Sequence, residues 1–93
     1  MCAAIIGGMD RLKKEYLTEA KKNGIKIKHF TGKERKISKT LGNVDFVVMF
    51  TNKVSHKART EVLDAVRGKG VPVYMHHSCG LSTLRKQLEE MAG

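Results

Sequence analysis

The run Phe46–Phe50 is apolar at every position. A strand with one solvated face alternates polar and apolar residues, whereas a continuously apolar strand is buried on both faces. Such a strand needs a layer of helices on each side of its sheet. The run Ala3–Ile6 has the same character and ends at Gly7-Gly8. The two runs therefore predict the middle strands of a three-layer α/β fold.

The other strands and the helices alternate along the chain. Ile25–Phe30 alternates with period two, which is typical of an edge strand, and Val71–Met75 is the fourth strand. Apolar residues at helical spacing predict a helix after the first, third and fourth strands. We expect Asp10, Ser55 and Ser82 to cap these helices, because their side-chain oxygens can accept from free backbone N–H groups.

Alternating strands and helices imply a parallel sheet with right-handed crossovers. Because the first and third strands are buried and the second is an edge, the expected strand order is 2-1-3-4. Asn23-Gly24 is expected to end the first helix, and Thr31–Asn43 to form a loop with one short helix. The sequence thus predicts a single Rossmann-like or flavodoxin-like domain over residues 1–93. In such a domain ligands bind at the carboxyl ends of the strands.

The chain carries 18 Lys and Arg against 9 Asp and Glu, a formal net charge of +9. This charge favours a small anionic ligand, such as a carboxylate-bearing cofactor or a phosphorylated metabolite. Nucleic acid is not expected as a partner, because the basic residues are dispersed and are not interleaved with aromatic ones.

The sequence also gives expectations about location and assembly. It has no signal-peptide pattern and no apolar run of the ~20 residues that span a membrane. We therefore expect a cytoplasmic protein whose two cysteines are not paired. A chain of 93 residues buries a modest core. With an edge strand in addition, it is expected to form a homodimer.

Short motifs are spaced along nearly the whole chain. They are Gly7-Gly8 before Asp10-Arg11-Leu12 and Tyr16, His29, Asp45 before Val47-Val48, Val54-Ser55-His56, Gly70-Val71-Pro72 and Ser78-Cys79-Gly80-Leu81-Ser82. In order and spacing these motifs resemble the small Rossmann-like bacterial domain-of-unknown-function family 2325. The resemblance implies the same three-layer fold, a homodimer for members that consist of this domain alone, and an association with haem. It implies no settled activity.

The side chains that could carry chemistry follow the strands. His77 and Cys79, at positions i and i+2, can point together, whereas His76 points to the opposite face. Cys2 lies at the other end of its strand, so a Cys2–Cys79 disulfide is implausible. Cys79 has three interpretations. It is a half-buried thiol without a role, a metal or haem-iron ligand together with His56 and His77, or a catalytic nucleophile.

Haem needs fewer fixed ligands than zinc, which requires four. It needs one or two axial ligands, an apolar slot and cations for two propionates. Arg11 and Lys53 are the expected cations, and the remaining ligand-binding candidates are Gly8, Ser55 and Ser82. The apolar slot is expected to be formed by Met9, Phe50, Val54 and Leu81.

The catalytic interpretation rests on the spacing from Cys79 to Arg85, which is that of cysteine-dependent phosphatases. Gly7-Gly8 lacks the third glycine of the dinucleotide-binding fingerprint, so a structural turn is favoured there over a nucleotide site. The leading hypothesis is a ligand-binding or sensing domain, not an enzyme, with haem or a metal as ligand. The alternative is a phosphate-ester or nucleotide-handling enzyme that uses Cys79 to Arg85.

Overall fold

A computed structural model describes residues 1–31, 41–78 and 80–92, with only the backbone of Lys53. Its strands are all parallel and follow the order β2-β1-β3-β4, which confirms the predicted fold. They are β1 (Cys2–Ile6), β2 (Lys26–Phe30), β3 (Phe46–Phe50) and β4 (Val73–His76). The helices of the described residues are α1 (Lys13–Lys22), α2 (His56–Arg67) and α3 (Leu81–Ala92). The short helix predicted within Thr31–Asn43 falls largely on residues 32–40, outside the described residues.

The core lies on both faces of the two middle strands. Every residue of β3 is 0% exposed, and so are Ala3 to Ile6 in β1. Alternate side chains pack in opposite directions. Ile5 and Val48 belong to a cluster with α1 and α3, whereas Ile6 and Val47 belong to a cluster with α2. The three predicted layers are therefore present.

Strand β2 is an edge, as predicted. Lys26 and Lys28 are exposed, whereas Ile27 and His29 are half-buried. This alternation places one face of the strand in water.

Two predicted helix boundaries are confirmed. Helix α1 ends at Lys22, and the Gly24 and Ile25 N–H groups donate to the carbonyls of Lys21 and Ala20. These are the two bonds of a Schellman motif, and the φ of +69° at Gly24 makes them possible. Ser55 caps α2, because its Oγ accepts from the Ala58 N–H at 3.1 Å.

Two other cap predictions are wrong. Asp10 begins a short 3₁₀ turn (Asp10–Leu12), and in this described segment no side-chain cap precedes the turn. The N–H groups that an Asp10 cap would bind donate instead to backbone carbonyls, that of Leu12 to Met9 at 3.0 Å and that of Lys13 to Asp10. Ser82 lies inside the first turn of α3. The carbonyl of Gly80 already accepts from the Leu84 N–H there, so the helix begins before Ser82 is reached.

Strand β4 begins two residues later than predicted. Pro72 has no N–H to donate to a ladder, although its carbonyl accepts from the Val47 N–H at 3.0 Å. The regular pairing therefore starts at Val73, which lies opposite Val47.

Candidate functional site

The segments that follow β1, β3 and β4 lie at one edge of the sheet, because the strands are parallel. We call this the carboxyl edge; it comprises Gly7–Leu12, Thr51–His56 and residues 77, 78 and 80–82. Helices α2 and α3 begin there, and neither has an acidic residue in its first turn. Their free N–H groups make this edge favourable for a negative charge.

All four histidines of the chain belong to this end of the fold. His29 is the next-to-last residue of β2, His56 is the first residue of α2, His76 is the last residue of β4, and His77 follows it. His56 and His77 are exposed, whereas His29 and His76 are half-buried. Imidazoles are therefore concentrated where ligands bind in sheets of this type.

His76 is held by helix α3. Its Nε2 lies 2.8 Å from Oε1 of Gln87, which is 5% exposed. An amide oxygen only accepts, so His76 donates from Nε2. The opposite orientation of His77 stays a prediction. Gln87 was missed by sequence reasoning, and its only sequence signal is a polar residue between the apolar Leu84 and Leu88.

The loop after β1 is fixed by one side-chain and one backbone hydrogen bond. Nε2 of His29 donates to the carbonyl of Gly7 at 2.8 Å, and the Gly7 N–H donates to the carbonyl of Phe30 at 2.7 Å. Gly7 and Gly8 have φ of +85° and +88°. A Cβ at Gly8 would lie 2.9 Å from the hydroxyl of Tyr16. Backbone conformation and packing thus account for both glycines without a ligand, in line with a structural turn.

The predicted apolar slot does not form as a unit. Phe50 is 0% exposed and stacks on Tyr16 with ring centroids 5.9 Å apart, so it belongs to the core and not to a slot. Met9 and Leu81 are half-buried against the cluster on the α1–α3 face, whereas Val54 packs against the cluster on the α2 face. The prediction of four walls is wrong, because Val54 packs on the opposite face from the other three residues and Phe50 is covered. Met9 and Leu81 remain half-buried on one face.

The other predicted site residues occupy different settings. Arg11 is exposed, and its Nη2 lies 3.8 Å from Sδ of Met9. Ser55 is engaged as the cap of α2, and Ser82 is exposed in the first turn of α3. The side chain of Lys53 and the whole of Cys79 lie outside the described residues. Within the described ranges, no three His, Cys, Asp or Glu side chains form a group that could hold a metal ion.

Arg85, the anion-binding residue of the catalytic interpretation, is bound to α1. Its Nη2 donates to Oε1 of Glu19 at 3.1 Å, and the Glu19 side chain is 8% exposed. This hydrogen bond lowers the pKa of the Glu19 carboxyl below its ordinary value. The same contact raises the pKa of Arg85. The guanidinium therefore stabilises the packing of α3 on α1.

Comparison with known proteins agrees with this architecture. A de novo designed Rossmann fold protein superimposes with a TM-score of 0.66 over 98% of this chain and 96% of its own, at 17% sequence identity. At that identity the likeness shows the fold alone. A comparison with curated proteins gave no match. In the part of the chain that the structure describes, no helix has the length and apolar character needed to cross a membrane.

The chain belongs to the family described as "Uncharacterized protein conserved in bacteria (DUF2325)", whose model matches residues 2–91. The predicted family resemblance is thereby confirmed.

Proposed function

We propose that this domain binds a small anionic ligand at its carboxyl edge, with haem as the leading candidate. The observation that supports the proposal most is that His56 and His77 are both exposed at that end of the sheet. Imidazole is a common axial ligand of haem iron. The beginnings of α2 and α3 favour the carboxylates that haem also carries.

The donor set fits haem better than a free metal ion. A structural zinc site needs four fixed ligands, and the predicted set offers only His56, His77 and Cys79. Haem needs only one or two axial ligands. His56, His77 or Cys79 would supply them, Arg11 and Lys53 would pair with the propionates, and the apolar contacts would come from Met9 and Leu81. When bound, haem would supply a redox-active iron, which suits a sensing role.

The enzymatic alternative loses support from the position of Arg85. A phosphate-binding arginine must direct its guanidinium at the loop, but that of Arg85 binds Glu19 on the neighbouring helix. We therefore do not propose catalysis by Cys79 to Arg85.

A haemin titration followed by visible absorption tests the proposal. We expect a Soret band shifted from that of free haemin. The shift should be lost in whichever of His56→Ala, His77→Ala and Cys79→Ala removes the axial ligand. Lys69→Ala, a change in the turn after α2, is the matched control and should leave the band unchanged. A free-haemin spectrum in the wild type would overturn the haem proposal.

Iron-free protoporphyrin distinguishes recognition of the porphyrin ring and its propionates from ligation of the iron. It retains the carboxylates and the flat apolar ring but lacks the metal. If it binds as well as haemin, the site recognises the ring and its propionates, and no side chain ligates the iron.

We also propose a homodimer, formed through β4. Strand β4 is the other edge of the sheet, and its first three residues are large and uncharged. Val73 and Tyr74 are half-buried, and Met75 is 42% exposed. No residue of β4 is a lysine or arginine, whereas β2 presents Lys26 and Lys28. Natural sheets discourage self-pairing with charged edge residues, especially lysine. The uncharged edge is therefore the one suited to a second copy.

A further inference from the structure

The outer edge of β2 has backbone groups that the sheet does not use. The Lys26 N–H donates to the carbonyl of Met1, and the carbonyl of Phe30 accepts from Gly7, so these residues turn towards β1. Backbone groups of alternate residues point to opposite sides of a strand. Ile27 and His29 therefore direct a donor and an acceptor each away from β1. In the described part of the sheet, no strand lies beyond β2.

An apolar groove of about 590 Å³ lies along this edge. Its floor is apolar, since Ile25 is buried, Ile27 is half-buried, and Leu17 is 41% exposed on α1. The groove is lined by Leu17, Lys21, Gly24, Ile25, Lys26 and Ile27.

The charged residues of the groove are both basic. Lys21 and Lys26 are exposed, and within the described residues neither has a carboxylate within 4.0 Å. Lys22, which is next in the chain, is in contrast paired with Glu19 at 3.6 Å. Among the described residues, no acidic side chain lines the groove. An occupant that complements it must combine apolar side chains with negative charge.

We propose that an extended acidic segment of a partner protein adds to β2 as a fifth strand. The backbone groups of Ile27 and His29 would pair with it, as in other cases of strand addition. Its apolar side chains would fill the groove beside Leu17, and its carboxylates would meet Lys21 and Lys26. The groove residues Leu17, Lys21 and Lys26 lie outside the carboxyl edge, and the proposal does not depend on haem binding.

A second copy of the chain does not complement this edge. Two β2 strands side by side would bring Lys26 and Lys28 of both copies together, and like charges across a strand pair are destabilising. The positive charge of the lysines on β2 therefore disfavours a second copy and favours an acidic partner.

The test uses a short fluorescein-labelled peptide of alternating valine and glutamate. We expect saturable binding by anisotropy to the full chain, with NMR shifts confined to the β2 edge and the facing side of α1. The same peptide with lysine in place of glutamate should bind at least about tenfold more weakly. Lys21→Glu with Lys26→Glu should reverse this preference.

A matched pair of substitutions separates the groove from the net charge. Lys57→Glu with Lys69→Glu makes the same charge change on α2 and the turn after it, away from the groove. We expect peptide affinity within about twofold of the wild type. Equal loss of binding in the two double variants would refute the proposal, since attraction would then follow net charge alone. NMR shifts elsewhere, or a self-associated state abolished by the Lys21 and Lys26 changes, would also overturn it.

Discussion

Replacing Gly8 with alanine tests how the β1–α1 loop is built. The new Cβ would meet the hydroxyl of Tyr16 at 2.9 Å, its Cε2 at 3.0 Å and Cδ2 of Phe50 at 3.1 Å. Tyr16 cannot swing away easily, because it is 0% exposed, stacks on Phe50, and accepts a hydrogen bond from Met9. The φ of +88° adds strain of its own for a residue with a side chain.

The expected loss of stability in Gly8→Ala follows from the crowding of the new Cβ and from the positive φ at this position. A left-handed conformation costs about 1–2 kcal/mol for a residue with a Cβ, and overpacking of a core costs about 1–3 kcal/mol. Reduced entropy of the unfolded chain returns about 0.4–1 kcal/mol. The net loss is therefore about 3 kcal/mol in the free energy of unfolding. For a domain of this size that corresponds to a fall in Tm of about 12–24 °C.

Alanine substitutions at two other glycines distinguish the effect of backbone strain from that of crowding. Gly24 has a φ of +69°, and a Cβ added there would have no atom within 4 Å, so Gly24→Ala should cost only about 1 kcal/mol. Gly68 has a negative φ and is equally open, so Gly68→Ala should be neutral or stabilising by up to about 1 kcal/mol. Urea unfolding followed by circular dichroism measures all three. If Gly8→Ala costs no more than Gly24→Ala, crowding by Tyr16 and Phe50 is not what excludes a side chain at position 8.

Two further predictions concern the helix pair and the assembly. The pKa of Glu19 is lowered by its bond to Arg85. The stability from this pair is therefore present above the ordinary pKa of about 4.5 and is lost as the pH falls through the folded value. Glu19→Gln should unfold at a lower Tm than the wild type at pH 7, and the two curves should converge in acid; a constant difference down to pH 2 would contradict this. For the assembly, Met75→Lys should convert a dimer to a monomer by light scattering, whereas Leu17→Lys on α1 should not. The opposite pattern would move the interface to the β2 side.

The strand order could be predicted because it depends on burial along single strands. Phe46–Phe50 and Ala3–Ile6 are apolar on both faces of the strand, so these strands must lie in the middle of the sheet. The C-terminal end of α1 was also predictable, because Gly24 supplies the required backbone conformation within a few residues of the helix. The cap of α2 by Ser55 is equally local.

The errors lie where a contact joins residues that are distant in sequence. Phe50 looked like a slot wall because it ends a strand, yet Tyr16 covers it. The contact between His76 and Gln87 joins a strand to a helix across the turn between them. Patterns of burial predict position along a strand, whereas these contacts depend on the angles at which helices cross the sheet.

The three proposed surfaces differ in chemistry, so substitutions can test each of them separately. The β2 groove is apolar and basic, the exposed part of the β4 edge is apolar and uncharged, and the carboxyl edge carries His56 and His77. Strands β2 and β4 are three strand spacings apart, about 14 Å. Substitutions this far apart that share no contacts are generally independent. Haemin spectra of the Lys21 and Lys26 variant, and peptide affinity of Met75→Lys, should therefore match the wild type. Coupling between any two surfaces would mean that they are parts of one interface.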